Sequence, residues 1–175
     1  LKLSRSTIPT NIEINSDIQP DCGLIMADPT QIHQIAMNLI TNASHAVESK
    51  NGIIDIELEE IILEAEDFSG SELPSGSYIK FSVSDNGVGI SKNAVNKIFE
   101  PYFTTKEKGK GTGLGLAVVY GIVKECNGDI KVYSEIGKGT TFNIYLPLME
   151  QSSQRMTAEP LTASAKGREN ILLVD

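Results

Sequence analysis

The chain has 175 residues, 40% of them hydrophobic, with a formal net charge of −8 and a pI of about 4.8. That is enough for one domain with a sizeable core, and it excludes global disorder. The acidity excludes a basic footprint for nucleic acid and disfavours a nonspecific grip on anionic lipid, and no apolar run reaches the roughly 18 residues of a membrane span.

The start, Leu1-Lys2-Leu3-Ser4, has no signal-peptide shape and no initiator Met, as expected of a fragment of a longer polypeptide. The two cysteines, Cys22 and Cys126, are far apart and fit neither a metal spacing nor a disulfide framework. They read as reduced thiols of a cytoplasmic protein, with anchoring of the parent in the inner membrane left open.

Residues 1–10 are polar and broken by Pro9. Ile12, Ile14 and Ile18 alternate with polar neighbours and predict a strand over 11–19, ended by Pro20. Leu24–Met26 is a short apolar piece. A helix is predicted over 28–48. Asp28 is its N-cap, Pro29 takes the first helical position, and Gln31 stands where a capping box places Glu or Gln. Ile32, Ile35, Ala36, Leu39, Ala43 and Val47 then recur at helical spacing.

Strands are predicted over 53–63 and 78–84, joined by a polar loop at 65–77. Asp85–Gly89 reads as a glycine-rich turn and 91–97 as a short helix. Residues 103–113, rich in Lys, Thr and Gly, read as a mobile loop. A second long helix is predicted over 113–126, capped by Asn127-Gly128, and strands over 129–135 and 140–147 close the domain. Residues 149–169 read as a linker. Asn170–Asp175 then reads as a buried strand with a carboxylate at its tip.

Three constellations carry chemistry. On the first long helix Gln31, Gln34, Asn38, Asn42 and His45 recur every three or four residues and form a polar stripe. It reads either as a solvated face or as a ligand face, in which Asn38 offers an amide oxygen to Mg²⁺ and Asn42 meets the same ligand one turn on. Asp85-Asn86-Gly87-Val88-Gly89-Ile90 reads as a tight turn, or as a site where Asp85 accepts from an exocyclic amine while the glycines let a flat base approach the backbone. Gly109-Lys110-Gly111-Thr112-Gly113-Leu114-Gly115-Leu116 opens a helix. It reads as a flexible loop or as a phosphate cradle, with Lys106, Lys108 and Lys110 screening ligand charge. Neither a Walker motif nor the strand that precedes a dinucleotide-binding loop is present.

The order of these pieces is more specific than any one of them. Asn-x-x-x-Asn, Asp-x-Gly-x-Gly, Phe-Glu-Pro-Tyr-Phe, Gly-x-Gly-x-Gly-Leu and Gly-Thr-Thr-Phe follow one another between Asn38 and Phe142. The set resembles the histidine-kinase catalytic domain of the Bergerat, or GHKL, ATPase superfamily, over roughly residues 10–147. The resemblance implies an α/β two-layer sandwich, a mixed sheet of about five strands packed on three helices with its other face largely open. It implies ATP and Mg²⁺ as cofactors. Asn38 would be the metal ligand and catalytic residue, and Asn42 and, more loosely, His45 would contact phosphate. Asp85, Gly87, Gly89, Ile90 and Thr140 would hold adenine. Phe103, Thr104 and Lys106 would belong to the lid and its base, with Gly111, Thr112, Gly113, Leu114, Gly115 and Leu116 at the phosphates.

Hydrolytic members place a general-base Glu four residues before the first Asn, where this chain has Gln34. An amide cannot take a proton from water at neutral pH, which favours phosphoryl transfer over hydrolysis. His33 reads as an ordinary surface histidine, so the acceptor histidine is expected on an upstream dimerisation hairpin, with Leu1–Arg5 resembling its tail. Ile171–Asp175 resembles the first strand of a receiver domain, implying a hybrid kinase. The expected domains are thus a hairpin tail at 1–10, the catalytic domain at 11–148, a linker at 149–169 and a truncated receiver at 170–175. The implied partners are the phosphoacceptor domain and a receiver in cis or a separate response regulator. The parent would be a homodimer and the fragment a monomer. A hydrolytic relative and a nucleotide sensor without turnover are the competing readings.

Overall fold

The computed structural model describes residues 8–47, 52–64, 73–105 and 111–149. Lys106, Lys108 and Lys110, almost all of the expected linker, the expected receiver strand at 170–175 and residues 1–7 of the expected hairpin tail lie outside the described residues.

The elements run β1 (Glu13–Ile18), α1 (Pro29–Val47), β2 (Ile53–Leu63), β3 (Gly76–Asp85), α2 (Lys92–Val95), α3 (Gly115–Glu125), β4 (Asp129–Glu135) and β5 (Gly139–Pro147). The strands form one sheet in the order β1-β2-β3-β5-β4. β1 and β2 are parallel, and the other pairs are antiparallel. The sheet is therefore mixed, because α1 supplies the crossover that a parallel pair requires.

Local chemistry sets the helix ends. The Asp28 carboxylate accepts the Thr30 N–H at 2.7 Å. That backbone bond holds the Asp28 carboxyl below its ordinary pKa. Gln31 does not close a capping box: its amide donates instead to Glu125 Oε2 on α3 at 3.1 Å, so the residue joins two helices. At the far end of α3, Asn127 takes the left-handed conformation (φ 54°) and the Gly128 N–H reaches back to the Val123 carbonyl at 2.9 Å.

The period-2 pattern of the strands sorts the sheet into rows. On the helix side, Phe81, Ile144 and Ile130 are register partners, and so are Val83, Phe142 and Val132. Ile35, Leu39, Ile40 and Val47 of α1 and Val119 and Val123 of α3 are buried against them. Each such side chain contributes on the order of 2 kcal/mol by leaving water. α2 is a single turn, shorter than the 91–97 helix expected, so α1 and α3 carry the helical layer.

The opposite face is less open than expected. Leu63, Tyr78 and Tyr145 form a second small cluster there. Ser82 and Asn143 are buried beside it, and their side chains hydrogen-bond to each other at 2.8 Å. Among the described residues no helix is long and apolar enough to cross a membrane.

Candidate functional site

The helix-facing rows of the sheet end in a polar one. Asp85 of β3 pairs with Thr140 of β5, and Thr140 pairs with Ser134 of β4. Asp85 is only 8% exposed and Thr140 5%. Asp85 Oδ1 accepts the Gly87 N–H at 2.8 Å. Burial raises the Asp85 pKa above the ordinary carboxylate value, against the opposing pull of the Gly87 and Thr140 backbone N–H groups. A buried carboxylate with acceptor capacity to spare is a receptor for a ligand that brings protons.

The glycines of the 85–90 turn answer to close packing. A methyl group on Gly87 would lie 2.5 Å from the Ala46 carbonyl oxygen at the end of α1. Gly89 (φ 71°) has no room either, since its added methyl would lie 2.1 Å from the Glu135 carbonyl oxygen. The Val88 N–H donates to the Ala46 carbonyl at 3.2 Å, and the Val88 carbonyl accepts the Gly137 N–H at 2.8 Å. The turn is thereby clamped between α1 and the β4–β5 hairpin. Asn86, which the sequence offered only as a turn residue, accepts the Ile53 N–H through its side chain at 3.0 Å and ties the turn to β2.

Ser134 is a member of this row that the sequence reading missed. It follows Tyr133 in an ordinary strand, and only the pairing of β4 with β5 brings it to the site. Its hydroxyl accepts the Ile90 N–H at 2.7 Å and lies 2.8 Å from Thr140 Oγ1.

The second half of the site is built by α1 and α3. The N-terminus of α3 abuts Asn38, since a methyl group on Gly115 would stand 3.3 Å from Asn38 Oδ1. Asn38 and Asn42 are half-buried on adjacent turns of one face. Among the described residues the Asn38 amide has no hydrogen-bond partner. The Leu114 N–H donates only a long bond of 3.4 Å to Thr112 Oγ1. Val118 is the first residue of α3 whose N–H reaches a helix carbonyl, that of Leu114. The N–H groups of Gly115, Leu116 and Ala117 therefore precede the first helical bond and can serve an anion.

The Tyr102 N–H donates to the Gly113 carbonyl at 2.9 Å, and both residues take left-handed backbone (φ 68° and 67°). Phe103 is half-buried against the core, whereas Thr104, Gly111 and Thr112 are exposed. Ile90 and Leu116 also pack on the core beside the site, and Leu114 is exposed. His45 is exposed on the last turn of α1, next to Ala46. A shallow cavity of about 440 Å³, lined by Leu24, Pro29 and Ile32 among others, lies at the other end of α1 and shares none of these residues.

The residues suit a hard cation. Asn38 offers a neutral amide oxygen, and no cluster of three or more His, Cys, Asp or Glu stands among the described residues. One protein oxygen plus phosphate and water oxygens is a common way to hold Mg²⁺.

Comparison with known proteins bears on the family and the fold. The family model described as histidine kinase-, DNA gyrase B- and HSP90-like ATPase matches residues 27–150. The sensor kinase CckA of Brucella abortus is 43% identical over 157 residues, covering 89% of this chain and 16% of that protein. The sensor histidine kinase ZraS of Escherichia coli is 42% identical over 124 residues, covering 71% of this chain and 23% of that protein. The chain thus spans between a sixth and a quarter of the length of these two relatives. Among solved structures, the nucleotide-free catalytic domain of the histidine kinase ThkA superimposes with a TM-score of 0.60 at 29% identity, covering 79% of this chain and 80% of that one. Full-length ShkA in complex with AMPPNP gives 0.60 at 28% identity, covering 78% and 26%.

Proposed function

The chain belongs to the histidine kinase-, DNA gyrase B- and HSP90-like ATPase family, and from that premise we propose that it binds Mg-ATP and positions the γ-phosphoryl group for transfer to a histidine. The acceptor would stand on a dimerisation hairpin elsewhere in the same polypeptide, in two-component signalling. A receiver domain, in cis or on a separate regulator, would take the phosphoryl group next.

The reading is carried by α1, whose last turn packs on the turn that follows the buried Asp85 and whose Asn38 abuts the N-terminus of α3. Asp85 accepts from the adenine amine, and Gly87 and Gly89 let the turn that follows it pack tightly against Ala46 and Glu135. Gly113 and the first-turn N–H groups of α3 receive the phosphates. Asn38 and Asn42 face the same phosphates from α1, and Asn38 would hold the Mg²⁺, which supplies charge neutralisation in the transition state. The protein's own part is positioning and electrostatics. Gln34, exposed one turn before Asn38, cannot act as a base toward water, so the reading is transfer rather than hydrolysis.

Titration calorimetry with ATP and MgCl₂ tests the binding step. Saturable binding that Asp85→Asn weakens by roughly 100-fold is expected. Equal affinity in the two proteins would remove Asp85 from the base site.

A further inference from the structure

Ser134 has no part in the mechanism above, yet its hydroxyl closes the polar row at its β4 end. It receives the Ile90 N–H at 2.7 Å, lies 3.0 Å from the Gly139 carbonyl oxygen and lies 2.8 Å from Thr140 Oγ1. A serine hydroxyl has one proton and two acceptor lone pairs. The Ile90 N–H fills one lone pair. The Gly139 carbonyl can only accept, so it takes the proton. The third contact is a hydrogen bond only if Thr140 donates into the remaining lone pair. All three contacts are satisfied in no other arrangement.

We infer that Ser134 is a positioning residue that fixes the direction of the Thr140 hydroxyl and thereby makes the site select a 6-amino purine over a 6-oxo purine. The inference rests on the nucleotide reading above and names what sets its base specificity. With its proton committed to Ser134, Thr140 Oγ1 meets the ligand as an acceptor, directly or through one water. Ionised Asp85 is an acceptor only. The row therefore presents acceptors throughout. An exocyclic amine supplies the protons this row needs. A 6-oxo group brings another acceptor, and leaving buried acceptors unmatched is what rejects it. The backbone keeps the geometry fixed, because a methyl group on Gly139 (φ 118°) would lie 1.8 Å from the Asp85 carbonyl oxygen.

The test is the ratio of ATP to inosine triphosphate affinity, measured by calorimetry on this chain and its variants. The unsubstituted chain should prefer ATP. Ser134→Ala frees the Thr140 proton, and the preference should fall by about tenfold, mainly through a gain for inosine triphosphate. Ser134→Thr keeps a hydroxyl and should restore the ratio. In a Thr140→Val background, Ser134→Ala should no longer move the ratio. A purely structural Ser134 would weaken both nucleotides equally, and an unmoved ratio overturns the inference. Should Ser134→Ala fail to fold, Thr140→Val alone decides: it should shrink the preference by a similar factor, and an unchanged preference overturns the inference. Failure of the unsubstituted chain to bind ATP at all would remove the nucleotide reading as well. ATP binding with an unmoved ratio removes only the role of Ser134.

Discussion

The two halves of the site are held in different ways. The proposed base half, made by Asp85, the 85–90 turn, Thr140 and Ser134, is fixed by hydrogen bonds and by glycines pressed against backbone from two strands and a helix. The phosphate half, made by Asn38, Asn42 and the start of α3, is left with unused donors and an amide without a partner among the described residues. The first half has its hydrogen bonds made within the protein; on the proposed reading the second is completed by phosphate and metal oxygens. The proposed function thus assigns specificity to the half that cannot adjust, and transfer to the half whose polar groups are still unspent.

Substitutions that break this contrast are ranked by expected size. Gly139→Ala should be the most damaging, because its methyl group would meet the Asp85 carbonyl oxygen at 1.8 Å in backbone that favours glycine. A stability loss of about 3 kcal/mol or more in chemical denaturation is expected, and a loss below 1 kcal/mol would show that the base half yields after all. Asp85→Asn should leave the fold intact by circular dichroism while lowering ATP affinity as described above.

Gly115→Ala should act on the phosphate half alone. Its methyl group stands 3.3 Å from Asn38 Oδ1, so the amide must shift slightly. The expected result is a roughly tenfold slower transfer at unchanged melting temperature. Smallest, and opposite in sign, is Gly121→Ala on the exposed side of α3. Nothing lies within 4 Å of the added methyl group, and helix propensity predicts a gain of about 0.5–1 kcal/mol.

Acid should separate the two halves as well. Burial raises the Asp85 pKa, so its charged form is lost as pH falls through a value above the ordinary 3.8. ATP affinity should therefore begin to drop at a higher pH than an ordinary aspartate would give. The ligand-free fold responds in the other direction at this group. The native state holds the proton more tightly than the unfolded chain, so protonation of Asp85 favours folding. Affinity and melting temperature of the wild type and Asp85→Asn, followed across that range, check both signs.

Most of the fold was legible because it depends on local signals. The bounds of β2 and β4 follow from their apolar alternation, and α1 begins where Asp28 and Pro29 place it. The contact of Asn38 with the start of α3 was implied only by the order of motifs, since no periodicity places α1 beside that helix. What failed to show depends on pairing across the sheet. Ser134 has no motif of its own and gains its role from Thr140 opposite it. The buried pair Ser82–Asn143 and the Leu63–Tyr78–Tyr145 cluster on the far face likewise arise from register between distant strands. Gln31 fits a capping box on paper, but Glu125 lies within reach only once the helices have packed.

The most direct test of the central claim supplies this domain with a histidine-bearing dimerisation hairpin of the kind proposed above, Mg²⁺ and ATP labelled in the γ-phosphate. Label should appear on the histidine, and Asn38→Ala should abolish it at saturating ATP while the base half still binds nucleotide. Labelling at full rate in Asn38→Ala, or steady release of phosphate to water by this chain alone, would contradict the account.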